Sequence, residues 1–212
     1  MEHKNIIDAL KWRYATKQFD VSKKVSEEDL NELLEAARLS ASSFGLQPWK
    51  LVVVEDKKTR EKLKEAAWNQ SQVTDASHLI VVCAVRNVDE KYIKKYIGQI
   101  AKVREIPSES LKDFEDTMVG FAKQRGKEFL LEWSKKQSYI ALGTLLFAAA
   151  SKKIDACPME GFDSGKFDEI LGLEKLGLTS AVLCAVGYRS KEDKNQHFKK
   201  VRFDMKDIVI KK

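Results

Sequence analysis

The sequence predicts helices packed on a small sheet, an α+β or α/β domain. Helical spacing of apolar residues recurs along most of the chain. A few short runs rich in β-branched residues interrupt it. The 212 residues, 43% of them hydrophobic, suffice for one core and hardly for two full domains.

Taken in order, Asn5–Trp12 groups Ile6, Ile7 and Leu10 on one side of a short helix. Ser26-Glu-Glu-Asp29 resembles a capping box and leads into a helix whose face is Leu30, Leu33, Leu34 and Ala37. Thr59–Ala67 and Glu90–Lys102 read as charged surface helices, and Leu111, Phe114, Met118 and Phe121 mark another amphipathic segment. Glu132–Lys152 differs, because Tyr139–Ala150 is apolar all round and asks for burial on every side, in the core or at a dimer interface. Inner strands are expected at Trp49–Val54, Leu79–Ala84 and Ser180–Val186, with a short fourth at Ile154–Pro158. Asp207–Ile210 is a further strand signal at the end of the chain.

Composition narrows the function classes. Lys+Arg 38 against Asp+Glu 32 gives a net charge of +6, but Lys and Glu alternate along the chain, so a nucleic-acid footprint is weak. Tyr139–Ala150 is too short to span a bilayer, and the first residues lack the apolar core of a signal peptide. The chain therefore reads as soluble and cytoplasmic. Cys83, Cys157 and Cys184 are dispersed among apolar residues, which suggests buried thiols rather than disulfides or a zinc site. No GxGxxG, P-loop or GxSxG motif occurs, and His3, His78 and His197 show no metal-binding spacing. His78 reads as a structural histidine at a strand entrance.

Positive signals lie in short segments. Arg13-Tyr-Ala-Thr-Lys17 places two cations after a helix, suited to a polyanion or simply to the helix dipole. Ser40–Trp49 holds small hydroxyl residues, Gly45 and Gln47 between a helix and a strand: a ligand loop or an ordinary one. Trp68-Asn-Gln70, running to Asp75-Ala-Ser-His78, sets amides beside an aromatic and suits a planar heterocycle. Gly161, in Pro158–Phe162, exposes backbone N–H, and Lys200-Val-Arg202 makes a plausible phosphate clamp.

In this order the segments resemble the nitroreductase family, flavin-dependent oxidoreductases of the oxygen-insensitive nitroreductase and dihydropteridine reductase type. The resemblance runs from about Ile6 to Arg202 and rests on five tokens: Arg13–Lys17, Ser42-Ser43 with Gln47-Pro48-Trp49, Asp75–His78, Glu160-Gly161-Phe162, and Lys200 with Arg202. It implies one domain over 1–212, with a mostly antiparallel sheet flanked by helices. It also implies an intertwined homodimer with C-terminal strand exchange, residues 203–212 reaching the partner and 104–132 forming a substrate-covering excursion. FMN is implied as cofactor and NADH or NADPH as donor, with small-molecule acceptors and no nucleic-acid or membrane partner.

On matching positions, Arg13, Lys200 and Arg202 serve the FMN phosphate, with Tyr14 and Ala15 against the ribityl chain. Lys17, Asn69 and Gln72 face the polar edge of the ring, Glu160 and Gly161 present N–H toward N5, and Ser42, Ser43 and Gly45 come from the other subunit. Trp68, with Lys17 and Gln72, borders the substrate pocket. No protein acid or base is implied, since the flavin carries the chemistry. Ala41, Gly45 and Gln72 depart from the Pro, Asn and Lys frequent in relatives, and 104–132 aligns poorly. Flavin reductase, flavin-cleaving and reductive dehalogenase activities therefore stay open, beside a basic nucleic-acid binder of a different class.

Overall fold

The β-branched runs pair into a single sheet. In the structure, a computed structural model describing residues 6–212, the strands are β1 (Trp49–Val54), β2 (His78–Val85), β3 (Asp155–Met159) and β4 (Leu178–Gly187). Their spatial order is β1-β2-β4-β3 and each neighbouring pair is antiparallel, with Val52 opposite Val81, Ile80 opposite Cys184 and Cys157 opposite Ala185. The expected positions of His3 and Asn5 lie outside the described residues.

Because side chains alternate along a strand, β2 feeds two cores. Leu79, Val81 and Cys83 pack with Ile93, Met118 and Phe167 on one face, while Ile80 and Val82 meet Leu33, Leu142 and Leu145 on the other. Both faces being covered explains why β2 reads as a continuous apolar run.

The helices are α1 (Ile6–Trp12), α2 (Glu27–Arg38), α3 (Lys57–Ala66), α4 (Gln72–Asp75), α5 (Glu90–Arg104), α6 (Lys112–Arg125), α7 (Lys127–Ser151), α8 (Ser164–Leu171) and α9 (Met205–Ile208). Caps set several starts: the side chains of Ser26, Asp56, Asp89 and Asp163 accept from the amides of Asp29, Thr59, Tyr92 and Lys166. The Asp56 cap starts α3 two residues before the expected Thr59.

Three expectations change. α7 begins at Lys127, not Glu132, because Gly126 (φ 74°) lets α6 end and α7 start with a single residue between them. The apolar half of α7 is not buried on every side in one chain: Tyr139 and Ile140 stay exposed. Asp207–Ile210 is not a strand. No edge in the single chain reaches it, so the Val209 amide turns back 2.8 Å to the Met205 carbonyl and closes the short helix α9.

The 104–132 excursion is helical and lies on the Ser43–Gly45 turn. The Phe44 ring meets Phe114 at 6.3 Å and Phe121 at 5.4 Å, and Phe121 continues to Trp133 at 5.6 Å. The Arg125 guanidinium covers Phe121 and Phe129 at 5.7 and 5.1 Å.

Candidate functional site

The cation cluster forms where α1 runs out. Ala15 makes a parallel bridge to Ala156, which pins Arg13–Lys17 along edge strand β3. The returning C-terminal chain passes opposite, leaving a cleft of about 420 Å³. Lys11, Arg13, Lys17, Lys199, Lys200 and Arg202 line it together with Tyr14 and Ala15, and no carboxylate among the described residues does. Sequence and structure agree that Arg13, Lys200 and Arg202 come together.

Crowding is legible in their titration. Burial and then Arg202 push the Arg13 pKa down, while burial, Arg13 and Arg202 lower that of Lys200. The Lys200 ammonium donates to the Arg13 carbonyl, so the tail leans on the first turn. Arg13 and Lys200, each disfavoured as a cation by burial and by Arg202, with no carboxylate among the described lining residues, make a place suited to an anion.

Asp193 fixes this turn and carried no sequence signal, being one acid in the charged run Lys191–Lys194. Its buried carboxylate accepts from the Tyr14 hydroxyl at 3.0 Å, the amides of Lys17 at 2.8 Å and Gln18 at 3.2 Å, and Asn195. Burial opposes its ionisation, but the hydrogen bonds from Asn195, Lys17 and Gln18 outweigh it and bring the pKa down to about 2. Next to it, Arg189 pairs with buried Asp155 and stacks on Trp12 at 4.3 Å and Tyr14 at 4.6 Å.

A second group continues from this cleft. Buried Cys157 on β3 senses Lys17, Gln72 and Asp193 together, although burial dominates and raises its pKa. Gln72 is 6% exposed and turns its amide to that thiol, so it does not point to solvent. Trp68 and Asn69 both adopt left-handed backbone (φ 54° and 57°), and Trp68 is 70% exposed. Gln70 reaches across to the Gly161 carbonyl at 2.7 Å, bringing 68–72 against Glu160-Gly161. Tyr139 of α7 donates to Glu160, and burial plus that carboxylate raise the Tyr139 pKa to about 12.

Ser42, Ser43 and Gly45 do not line this cleft. Their turn is held elsewhere: the Ser43 amide donates to Gln137, Tyr96 donates to the Phe44 carbonyl, and the Gln47 amide donates to Ser42. Gly45 takes left-handed backbone (φ 70°), which favours glycine, and a side chain there would have to displace the Tyr96 hydroxyl. Gln47 donates to the Arg38 carbonyl at 2.6 Å, an anchoring bond.

One spatial grouping escaped the linear reading of the histidines. Glu27, Glu55 and His78 bring possible ligand atoms within 4.8 Å of one another. The cleft beside Glu55 and His78 is lined by both signs of charge, Lys24, Lys57, Arg60 and Lys64 with Glu61 and Asp75. All three cysteines are buried and free. No helix among the described residues is long and apolar enough to cross a membrane.

Helices on a four-stranded antiparallel sheet, with a basic cleft along the β3 edge, define an α+β protein. Sequence comparison says which: the nitroreductase family matches residues 10–188, and the chain belongs to that family. It is 40% identical over 213 residues, covering 96% of this chain and 95% of the other, to a Staphylococcus saprophyticus protein named "Putative NAD(P)H nitroreductase". Two solved structures share the fold. A Staphylococcus epidermidis protein described as a "putative NAD(P)H:FMN oxidoreductase" is 20% identical with a TM-score of 0.85, covering 99% of this chain and 97% of that one. An Exiguobacterium sibiricum nitroreductase in complex with FMN is 23% identical with a TM-score of 0.83, covering 100% and 99%.

Proposed function

We propose that the chain is an FMN-dependent oxidoreductase that takes reducing equivalents from NAD(P)H and passes them to nitroaromatic, quinone or related small acceptors. The observation that carries this reading is the cleft itself, in which Arg13, Lys200 and Arg202 converge with no carboxylate among the described lining residues. It suits a phosphate monoester. A nucleic-acid binder spreads its cations along a face, whereas these gather in a pocket.

Bound FMN supplies hydride chemistry. This chain's residues then divide the work. Arg13, Lys200 and Arg202 hold the phosphate, and Tyr14 and Ala15 border the ribityl chain. Lys17, Asn69 and Gln72 meet the polar ring edge, where Lys17 favours the anionic reduced form. Glu160 and Gly161 offer backbone N–H toward N5, and Trp68 walls the space for donor and acceptor in turn. Sharing that space makes turnover ping-pong.

The second copy completes the site. Ser42, Ser43 and Gly45 lie outside the cleft of their own chain and serve the partner's flavin. Ile6, Ile7 and Leu10 on α1, Ile140 on α7, and Phe203, Met205 and Ile210 of the tail are exposed in one chain, an apolar set that a homodimer buries. The excursion 104–132 covers the acceptor.

Purification and steady-state kinetics test the reading. The expected result is a yellow dimer whose double-reciprocal plots are parallel. Intersecting lines contradict the shared pocket, and a colourless protein that FMN does not restore contradicts the whole assignment.

A further inference from the structure

The Gln70 side chain ties the aromatic-amide loop to the Glu160-Gly161 turn. Its amide nitrogen donates to the Gly161 carbonyl at 2.7 Å and to the Ala67 carbonyl at 3.1 Å. The backbone repeats the link beside it, where the Asp163 amide donates to the Ala66 carbonyl at 2.8 Å. Within the turn, the Phe162 amide closes on the Glu160 carbonyl at 3.0 Å.

The two loops also interlock sterically. A Cβ at Gly161 would come within 2.7 Å of the Trp68 ring and 3.1 Å of the Gln70 amide nitrogen. Glycine is therefore needed because Trp68 lies against the backbone itself. Trp68 and Asn69 both take left-handed backbone, a conformation disfavoured for residues with a side chain. The Asn69 amide fixes this stretch to the end of α3 by donating to the Lys64 carbonyl at 2.9 Å, and the bond from Gln70 to Gly161 adds a side-chain contact to the facing turn.

We infer that Gln70 is a positioning residue that locks Gly161 and Trp68 into one rigid unit, setting the Gly161 peptide and the aromatic wall together. The inference rests on the function proposed above, in which Gly161 faces flavin N5 and Trp68 faces donor and acceptor. Gln70 touches neither. It acts by fixing the carbonyl side of the Gly161 peptide, and with it the direction of the amides around that turn. A misplacement on the order of 1 Å in a reacting constellation costs up to about 100-fold in rate.

The test uses Gln70→Met, which keeps length and volume and removes the donor. In flavin-free protein, hydrogen–deuterium exchange at the Phe162 and Asp163 amides should quicken about tenfold, the factor for losing about 1.4 kcal/mol of local stability. In FMN-loaded protein, the single-turnover rate of flavin reduction by saturating NAD(P)H should fall about tenfold, with the FMN dissociation constant within about twofold of wild type. Unchanged exchange and an unchanged reduction rate overturn the role of Gln70. If wild type binds no FMN, the proposed function fails instead, while the exchange comparison still reads the clamp. Gln70→Glu covers the case in which the Met variant does not fold. Ionised at about pH 8 it cannot donate, and mostly protonated at about pH 3.5, below the ordinary Glu pKa of about 4.3, it can. Its exchange relative to wild type should be fast at the higher pH and approach unity at the lower. A ratio indifferent to pH overturns the proposal.

Discussion

The Arg13–Lys17 turn and the Lys199–Lys212 tail supply cations to the same cleft, yet they are held in different ways. The turn is bridged to β3 through Ala15 and Ala156 and gathered by the buried carboxylate of Asp193. The tail is exposed throughout, with Val201 82% and Ile210 83% exposed, and Lys200 is tied to the turn by one bond to the Arg13 carbonyl. One half of the cleft is thus pre-organised by the fold and the other is exposed, the half that in the proposed function a ligand and a second copy order. A pre-organised half lowers the entropy cost of binding, and an unpartnered half makes binding and assembly depend on each other.

The comparison breaks most readily at Asp193. Asp193→Ala strands donors at Tyr14, Lys17, Gln18 and Asn195, and should cost about 3 kcal/mol, lowering Tm by roughly 6–12 °C. The folded pKa lies below the unfolded one, so the carboxylate's contribution is full above about pH 4 and is lost as pH falls through about 2. Thermal melts of both proteins should therefore differ at neutral pH and converge toward pH 2. A gap that widens in acid contradicts the anchoring role.

Removing the tail acts on the other half. Truncation after Phe203 deletes α9 and the apolar residues Met205, Ile208 and Ile210. Sedimentation should show a dimer weakened about 100-fold, the loss of about 2.7 kcal/mol expected from a few apolar side chains. A folded, flavin-loaded monomer of the full chain contradicts this.

Smaller again is Arg202→Ala. One charge-assisted hydrogen bond contributes about 1.5–3 kcal/mol, so FMN should bind roughly tenfold or more weakly while Tm stays within a degree or two. An unchanged dissociation constant removes Arg202 from the clamp. The smallest expected effect is at Gln72, whose neutral amide stands where relatives often carry Lys. Gln72→Lys should raise the flavin midpoint potential by roughly 10–30 mV, the equivalent of about 0.5–1.4 kcal/mol for two electrons. Redox titration reads this directly, and identical potentials place residue 72 away from the ring.

What the sequence made legible follows the same division. Trp49–Val54 is β1 as the β-branched run predicts, and Ser26 caps α2, because periodicity and capping are local signals. The basic cleft was legible as well, since Arg13 and Lys200 belong to motifs whose order survives in one chain. Asp193 was not, because its role arises only when residues some 175 positions apart meet, and one acid in a charged stretch looks like any other. Asp207–Ile210 misled for a related reason: a β-branched run is a strand only where an unpaired edge meets it. The bond from Gln70 to Gly161 spans 91 residues and leaves no linear trace.

The central claim, that this cleft takes the phosphate of FMN, is tested most directly by titrating flavin-free protein with FMN and with riboflavin, which differ by that phosphate alone. With Arg13, Lys200 and Arg202 on the phosphate, FMN should bind about 100-fold or more tightly than riboflavin, the equivalent of at least two charge-assisted hydrogen bonds. Equal affinities for the two flavins would contradict the account.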